Sequence, residues 1–439
     1  MRLLTQYLGI ILLAMAGFFA VPARADDAGA QKVLDTWVRL SLELVRHTPT
    51  YTPPVASRAL AYIGVTAFET VALDDPDLQT LAGQLNDLTA FPVPTQGVSY
   101  DRAVVLNSAM GPVVAALFAN TGPTGQRALA SVTDNLRAEM TAGLPADVVK
   151  ASEDLGAQIA AHVIAWAATD GGAVVENMGF PADYTLSTDP GHWAPTNLIR
   201  LQQTPLLPGW GSNRPFAMPA GTACPLPPPV DYSEDPGSAF FAQAQEVVDT
   251  KAALTPEQTA IARFWADDAM LSMTPPGHWI AIAMQILHRD AAPIDVQAEV
   301  LARLGVAMAD GFIGCWQVKY QYDTIRPLTY IRHMIDPKWE SLINTPPFPE
   351  YPSGHSVQSA AAATVLTAYF GPDFAFDDAS RSDDGLPARS FPSFWAAADE
   401  AGLSRLYGGI HFRAAIEQGQ AQGRCIGAYA AALNTRRGA

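Results

Sequence analysis

The chain has 439 residues and a formal charge of −16, a balance that argues against nucleic acid or an anionic membrane as partner. Only 16% of residues are charged and 49% are apolar, enough for a large core and, as an expectation, a homodimer interface. Cations gathered at one place against that negative background would point to a dedicated anion pocket.

Residues 1–25 begin with Arg2, run through an apolar stretch from about Leu8 to Phe19 and end in Ala23-Arg24-Ala25, the pattern of a cleaved secretory signal. The mature chain is therefore expected to be exported, periplasmic or secreted, with no membrane attachment after cleavage. Apolar residues then recur with helical period over 29–46, 57–73, 101–119, 125–142 and 146–168, which predicts a helical bundle with short connections. From Asp170 to Pro236 the chain is dense in Pro, Gly, Asp and Thr and loses that period. It reads as a long connection that also contributes to a substrate entrance. The expected division is a signal at 1–25, an N-terminal bundle with its loop region at 26–250, and a second bundle at 251–439. The tetrapeptide Pro-Gly-His-Trp occurs at 190–193 and again at 276–279, and both histidines, His192 and His278, are read as structural or loop residues.

Helical order resumes at Thr255-Pro256-Glu257-Gln258, a capping box, in a helix expected to carry Phe264, Trp265 and the acidic pair Asp267-Asp268. A long helix from about Asp295 to Tyr322 brings Trp316 and Lys319 to its C-terminal end on one face. Pro327 disfavours helix at Arg326, so the chain should turn there. A Pro-rich loop leads to Ser353-Gly354-His355 at the start of a helix running to about Tyr369, with Ser353 as a cap and free N–H groups at the positive end of the dipole. A helix over 394–407 carries Arg405, Gly408-Gly409 breaks it, and His411 precedes the last helix, about 414–434. Two cysteines, Cys315 and Cys425, fall in these apolar helical patterns and read as buried thiols rather than as a bridge; with Cys224 they leave at least one thiol unpaired.

Lys319, Arg326 and Arg405, with a helix-start Ser-Gly-His and a further histidine, form an inventory suited to a tetrahedral oxyanion: fixed cations, a hydroxyl, backbone donors and imidazoles. Any one of them alone reads as a surface charge, a cap or a structural histidine. Together, the spacings K-x6-R-P, P-S-G-H and S-R-x5-H resemble the signature shared by vanadium-dependent haloperoxidases and type-2 phosphatidic acid phosphatases, over roughly residues 260–435.

The resemblance implies a mainly α fold of two packed helical bundles and a site for vanadate held by Lys319, Arg326, Ser353, Gly354, Arg405 and His411. His411 would bind vanadium and His355 would act as acid and base. It further implies that Trp316 and Phe348 line the halide side, and that Asp267 or Asp268, with Asp268 as the choice, orients an active-site arginine. The activity implied is a haloperoxidase, taking hydrogen peroxide, halide and a small organic acceptor. The alternatives are an acid phosphatase working through a phosphohistidine at His411 and a non-catalytic oxyanion binder. Relatives commonly carry Asp four residues after the final histidine; here that position is Ala415, which weakens activation of His411 as a nucleophile more than its use as a ligand.

Overall fold

The computed structural model describes residues 25–197 and 199–438; the N-terminal segment read as a signal lies outside them. Thirteen α-helices and one short two-stranded sheet are found among these residues, a mainly α architecture as expected. The first half contains α1 (Ala25–His47), α2 (Pro53–Ala72), α3 (Arg102–Leu117), α4 (Pro123–Met140) and α5 (Ala146–Ala167). The second half contains α6 (Ala239–Ala252), α7 (Pro256–Phe264), α8 (Thr274–Arg289), α9 (Ile294–Tyr322), α10 (Pro327–Met334), α11 (Gly354–Phe370), α12 (Phe394–Tyr407) and α13 (Arg413–Ala431). Strands β1 (Phe376–Asp378) and β2 (Arg389–Phe391) pair antiparallel between α11 and α12.

The 29-residue α9 is buried along most of its length and joins the halves, packing α2 on one side and α11 and α13 on the other. One continuous apolar core therefore runs from Trp37 and Phe68 in the first half to Trp279, Phe312 and Ile426 in the second. On α13, Gly419, Gly423 and Gly427 form a stripe of i,i+4 spacing facing α11. A Cβ on Gly427 would stand 2.8 Å from the Ala361 carbonyl oxygen, and one on Gly423 would collide with the Val357 carbonyl. The missing side chains let α11, which begins with Ser353-Gly354-His355, lie directly on α13.

Several sequence expectations need correction. Helices α6, α8 and α10 were not expected as such: α8 is hidden by two prolines in its first turn, where proline is tolerated because those N–H groups have no helical partner, and α10 follows Pro327 for the same reason. Helix α7 has the predicted capping box but stops at Phe264, so Asp267 and Asp268 lie beyond it, Asp267 with a left-handed φ of 48°. Cys425, expected to be a buried thiol, is joined to Cys224, and Cys315 is free and buried. The apolar neighbours of Cys425 misled because it stands on the outer side of α13, where the 170–236 segment crosses and Gln422 donates to the Cys224 carbonyl at 3.1 Å.

That segment has only short 3-10 turns, yet it is pinned to the second half. Asp310 of α9, fully buried, accepts the N–H groups of Phe216, Ala217 and Met218 at 2.6–2.8 Å, and the Leu206 N–H donates to the Pro347 carbonyl at 2.8 Å. Because α13 has no room at its stripe, Gly423→Val is expected to lower stability by about 1–3 kcal/mol through overpacking. Gly122, whose added Cβ would meet nothing within 4 Å, should accept Ser without loss; thermal melts of the two variants check this.

Candidate functional site

Four chain reversals bring the candidate residues together. Helix α9 ends one turn after Lys319, where Asp323 adopts a left-handed conformation and its N–H returns to the Lys319 carbonyl at 2.8 Å. Arg326 is then extended (φ −81°, ψ 150°) because Pro327 follows it, and caps α10. Ser353 caps α11, its hydroxyl accepting the Ser356 N–H at 3.3 Å, so the N–H groups of the following residues lack helical partners. Arg405 stands in the last turn of α12, Gly409 turns the chain at φ 76°, and His411 lies in the short link before α13.

The three cations are all removed from water, with side chains at 0–1% exposure for Lys319, Arg326 and Arg405. Lys319 Nζ donates to the carbonyls of Pro349, Glu350 and Pro352 at 2.8, 3.0 and 2.5 Å, so its three N–H bonds hold the loop that presents Ser353. Burial pulls its pKa down to about 7. Arg326 donates from Nε to the Phe348 carbonyl at 2.7 Å and from Nη1 to the Ile410 carbonyl at 3.0 Å and His411 Nε2 at 3.1 Å; its Nη2 is buried with no partner. Arg405 donates to Ser404 Oγ at 2.9 Å and to the carbonyls of Trp265 and Ala262. Trp316 and Phe348 meet at 5.0 Å between centroids and flank the cations: Lys319 Nζ stands 5.8 and 5.1 Å from their rings, and Arg326 Cζ 4.9 Å from Phe348.

The two histidines differ. His411 receives a hydrogen bond at Nε2 from a guanidinium that can only donate, so its proton is on Nδ1 and goes to Glu350 Oε1 at 2.8 Å. Burial and the nearby Arg326 and Lys319 keep it neutral, its pKa well below the ordinary value. His355 at the second position of α11 is partly open to the cavity; its Nε2 has no hydrogen-bond partner and lies 4.0 Å from Asp267 Oδ2. Burial and Arg405 likewise disfavour its charged form.

Asp267 belongs to a second network. It accepts from His278 Nδ1 at 2.9 Å and from Arg381, and His278 Nε2 reaches Asp378 Oδ2 at 2.8 Å. Burial opposes charge on His278, but the two carboxylates outweigh it and lift the pKa to about 10. Asp268, the residue expected to orient an arginine, lies on the cavity wall, accepts from Asn344 at 3.3 Å and feels the charge of Arg405. The arginine bound by an acid of this pair is Arg381, through Asp267.

Gly354, His355, Arg405 and His411 thus open onto one cavity of about 870 Å³, whose walls include Trp316, Phe348, Met178, Phe180 and Leu206. Lys319, Arg326 and Ser353, with no exposed surface, stand behind that floor. Among the described residues there is no group of three or more His, Cys, Asp or Glu able to hold a bare metal cation. The donor set is instead one imidazole lone pair, buried cations and backbone N–H groups, which suits a tetrahedral oxyanion. Sequence reasoning missed Glu350, Arg381 and Asp378 and read His278 as unrelated to the site. Glu350 did carry a signal, an acid inside the proline-rich run immediately before Ser353.

Residues 299–437 match the family model described as the VCPO second helical-bundle domain. Vanadium chloroperoxidase of Curvularia inaequalis is 24% identical over 477 aligned residues, covering 86% of this chain and 78% of that protein. The crystal structure of the first bacterial vanadium-dependent iodoperoxidase superposes with a TM-score of 0.85 at 36% identity, over 92% of this chain and 97% of that one. A bacterial vanadium-dependent chloroperoxidase in its holo form shares the fold, with a TM-score of 0.67 and 17% identity over 89% of this chain and 93% of that one.

Removing the imidazolium between Asp267 and Asp378 would leave the buried Asp378 without a cation and Asp267 with Arg381 alone, so His278→Gln should cost about 3–5 kcal/mol near pH 6. Histidine titrates near 6.5 when unfolded and His278 near 10 when folded. Its contribution is complete below the first value and fades as pH rises through the second. Denaturant melts at several pH values should show the gap between wild type and variant narrowing from pH 6 to pH 10.

Proposed function

The chain belongs to the vanadium-dependent haloperoxidase family, and we propose that its cationic floor holds vanadate, that hydrogen peroxide and a halide react there, and that the oxidised halogen passes to a small organic acceptor. The observation that carries this reading is the buried Nη2 of Arg326, a charged donor without a partner, on the same guanidinium whose Nη1 meets the Nε2 of His411. The residues fit the group: an oxyanion at this place would be met by Arg326, Arg405, the α11 N–H groups at Gly354 and His355, and His411 Nε2 as the one ligand able to bond to vanadium. When bound, vanadate supplies a Lewis-acidic centre that activates peroxide without changing oxidation state.

The protein's part is electrostatic and steric. Lys319 holds the 349–352 loop and adds positive potential from behind, so charge placed on the floor is balanced in a site shielded from water. His355 is kept neutral with Nε2 unpartnered, which suits it to take a proton from peroxide and return it to a leaving oxygen. Asp267, locked by His278 and Arg381, gives the resulting imidazolium a carboxylate 4.0 Å away. Trp316 and Phe348 wall the floor beside His355 and give a halide an apolar, polarisable surface. The remaining volume, lined by Met178, Phe180 and Leu206, has room for an organic acceptor. The disulfide between Cys224 and Cys425 supports export to an oxidising compartment, and no helix among the described residues is long and apolar enough to cross a membrane.

Purified protein given vanadate and peroxide should brominate a phenolic dye, phosphate should compete this away, and p-nitrophenyl phosphate should be turned over slowly or not at all. His411→Ala should abolish halogenation, whereas His355→Ala should keep vanadate bound and lose about 10²–10⁴ in turnover. Rapid ester hydrolysis without vanadate-dependent halogenation would overturn the proposal in favour of a phosphatase.

A further inference from the structure

Position 415, where the resemblance drawn from the sequence implies an aspartate supporting the final histidine, is an alanine whose side chain is sealed into an apolar cluster with Val318 and Tyr351. The support comes instead from a residue 61 positions before His411. Glu350 is 2% exposed, and its Oε1 accepts both the Nδ1–H of His411 at 2.8 Å and the N–H of Phe412, the capping residue of α13, at 2.9 Å. Its backbone is tied as tightly: the carbonyl accepts Lys319 Nζ at 3.0 Å and the N–H donates to the Thr324 carbonyl at 3.0 Å. The next residue repeats the hold, the Tyr351 N–H reaching Thr324 Oγ1 at 2.9 Å and its hydroxyl the Pro227 carbonyl at 2.8 Å. Rigid backbone anchoring on both sides leaves the carboxylate one place to go.

We propose that Glu350 is the positioning residue of the site, holding and polarising His411 so that its proton stays on Nδ1 and its Nε2 lone pair is presented to the oxyanion beside Arg326. This rests on the oxyanion reading of the pocket, and it assigns to Glu350 the support that Ala415 cannot give. Without the carboxylate only the Arg326 donor at Nε2 still favours that tautomer, and the Nδ1–H is left without its acceptor; a proton carried on Nε2 instead would point at the Arg326 guanidinium and block ligation. A carboxylate acceptor also makes the opposite nitrogen more basic, as an outer partner does for ligating imidazoles generally. A purely structural role, capping Phe412, would leave the tautomer of His411 indifferent to residue 350.

The test uses full-length protein, its Glu350→Ala and Glu350→Gln variants, orthovanadate as probe in calorimetry, and 15N-histidine NMR of the ligand-free protein, with the His411 signal assigned by His411→Ala. Glu350→Ala should lose the Nδ1–H signature of His411 and bind orthovanadate about 10–100-fold more weakly. Glu350→Gln keeps an oxygen acceptor for both hydrogen bonds, and should keep the tautomer while binding roughly 3–10-fold more weakly for want of the charge. Unchanged tautomer and binding in Glu350→Ala would overturn the proposal, as would weakened binding with an unaltered tautomer. If Glu350→Ala does not fold, Glu350→Gln decides: affinity equal to wild type overturns the proposal, and the loss just stated supports it. A wild-type protein that binds neither orthovanadate nor inorganic phosphate would defeat the oxyanion reading instead, and the tautomer comparison would still decide whether Glu350 holds His411.

Discussion

Three cations with almost no exposed surface, Lys319, Arg326 and Arg405, stand together in the second half of a strongly acidic chain, and the rest of the site answers the cost of keeping them there. An isolated buried charge is expensive unless it is hydrogen-bonded and balanced. Here most of the compensation is neutral. Backbone carbonyls of the 348–352 loop and of Ile410, Trp265 and Ala262 take up the N–H groups, and the faces of Trp316 and Phe348 cover Lys319 and Arg326. Neutral acceptors satisfy the donors without cancelling the charge, so the pocket keeps a positive potential and one donor, Arg326 Nη2, without a partner. A site built this way leaves open a charge balance that a bound anion would complete.

The architecture explains how such a floor stays ordered. Each critical residue sits at the end of a helix rather than within one, and each helix end is stopped by a local device: a left-handed residue after Lys319, proline after Arg326, a serine cap before Gly354, a glycine turn before His411. The helices behind those ends are then locked by α9, which packs against both halves, and by the glycine stripe that seats α11 on α13. Asp310 holds the 216–218 segment against α9, so the long connection becomes a wall of the cavity rather than a loose strap.

A second network, of alternating charges, runs beside the floor and reaches the first bundle. From Arg46 in α1 it passes to Asp384 at 2.5 Å, to Arg381 at 2.6 Å, to Asp267, and through His278 to Asp378. Charge alternates along this chain, which is why a left-handed Asp267 can persist in the interior. It supplies the carboxylate nearest His355, while the floor supplies the field around His411. The two imidazoles, both held neutral, therefore have different neighbours.

Much of this was legible in the linear chain, and the reason is locality. The helical period over long windows, the capping box at Thr255, the turn forced at Arg326 by Pro327 and the helix start at Ser353 depend on residues within a few positions of one another, and each stands as expected. The spacing of Lys319, Arg326, Ser353, His355, Arg405 and His411 likewise located a common site, because each lies beside a readable helix end. What sequence could not decide is which distant groups meet. Glu350 and His411 are 61 residues apart, His278 and Asp378 are 100, and Cys224 and Cys425 are 201. Composition near each of these residues resembles that of many unpaired ones, and Cys425 even sat in a misleading apolar pattern. Their pairing follows from how α9 orders the helices in space, and so do the tautomer of His411, the charge on His278 and the choice between Asp267 and Asp268 as the partner of an arginine. The chain alone determined which residue types arrive at the helix ends; packing alone decided which of them touch, because hydrogen bonds and desolvation act over a few ångströms and not along the sequence.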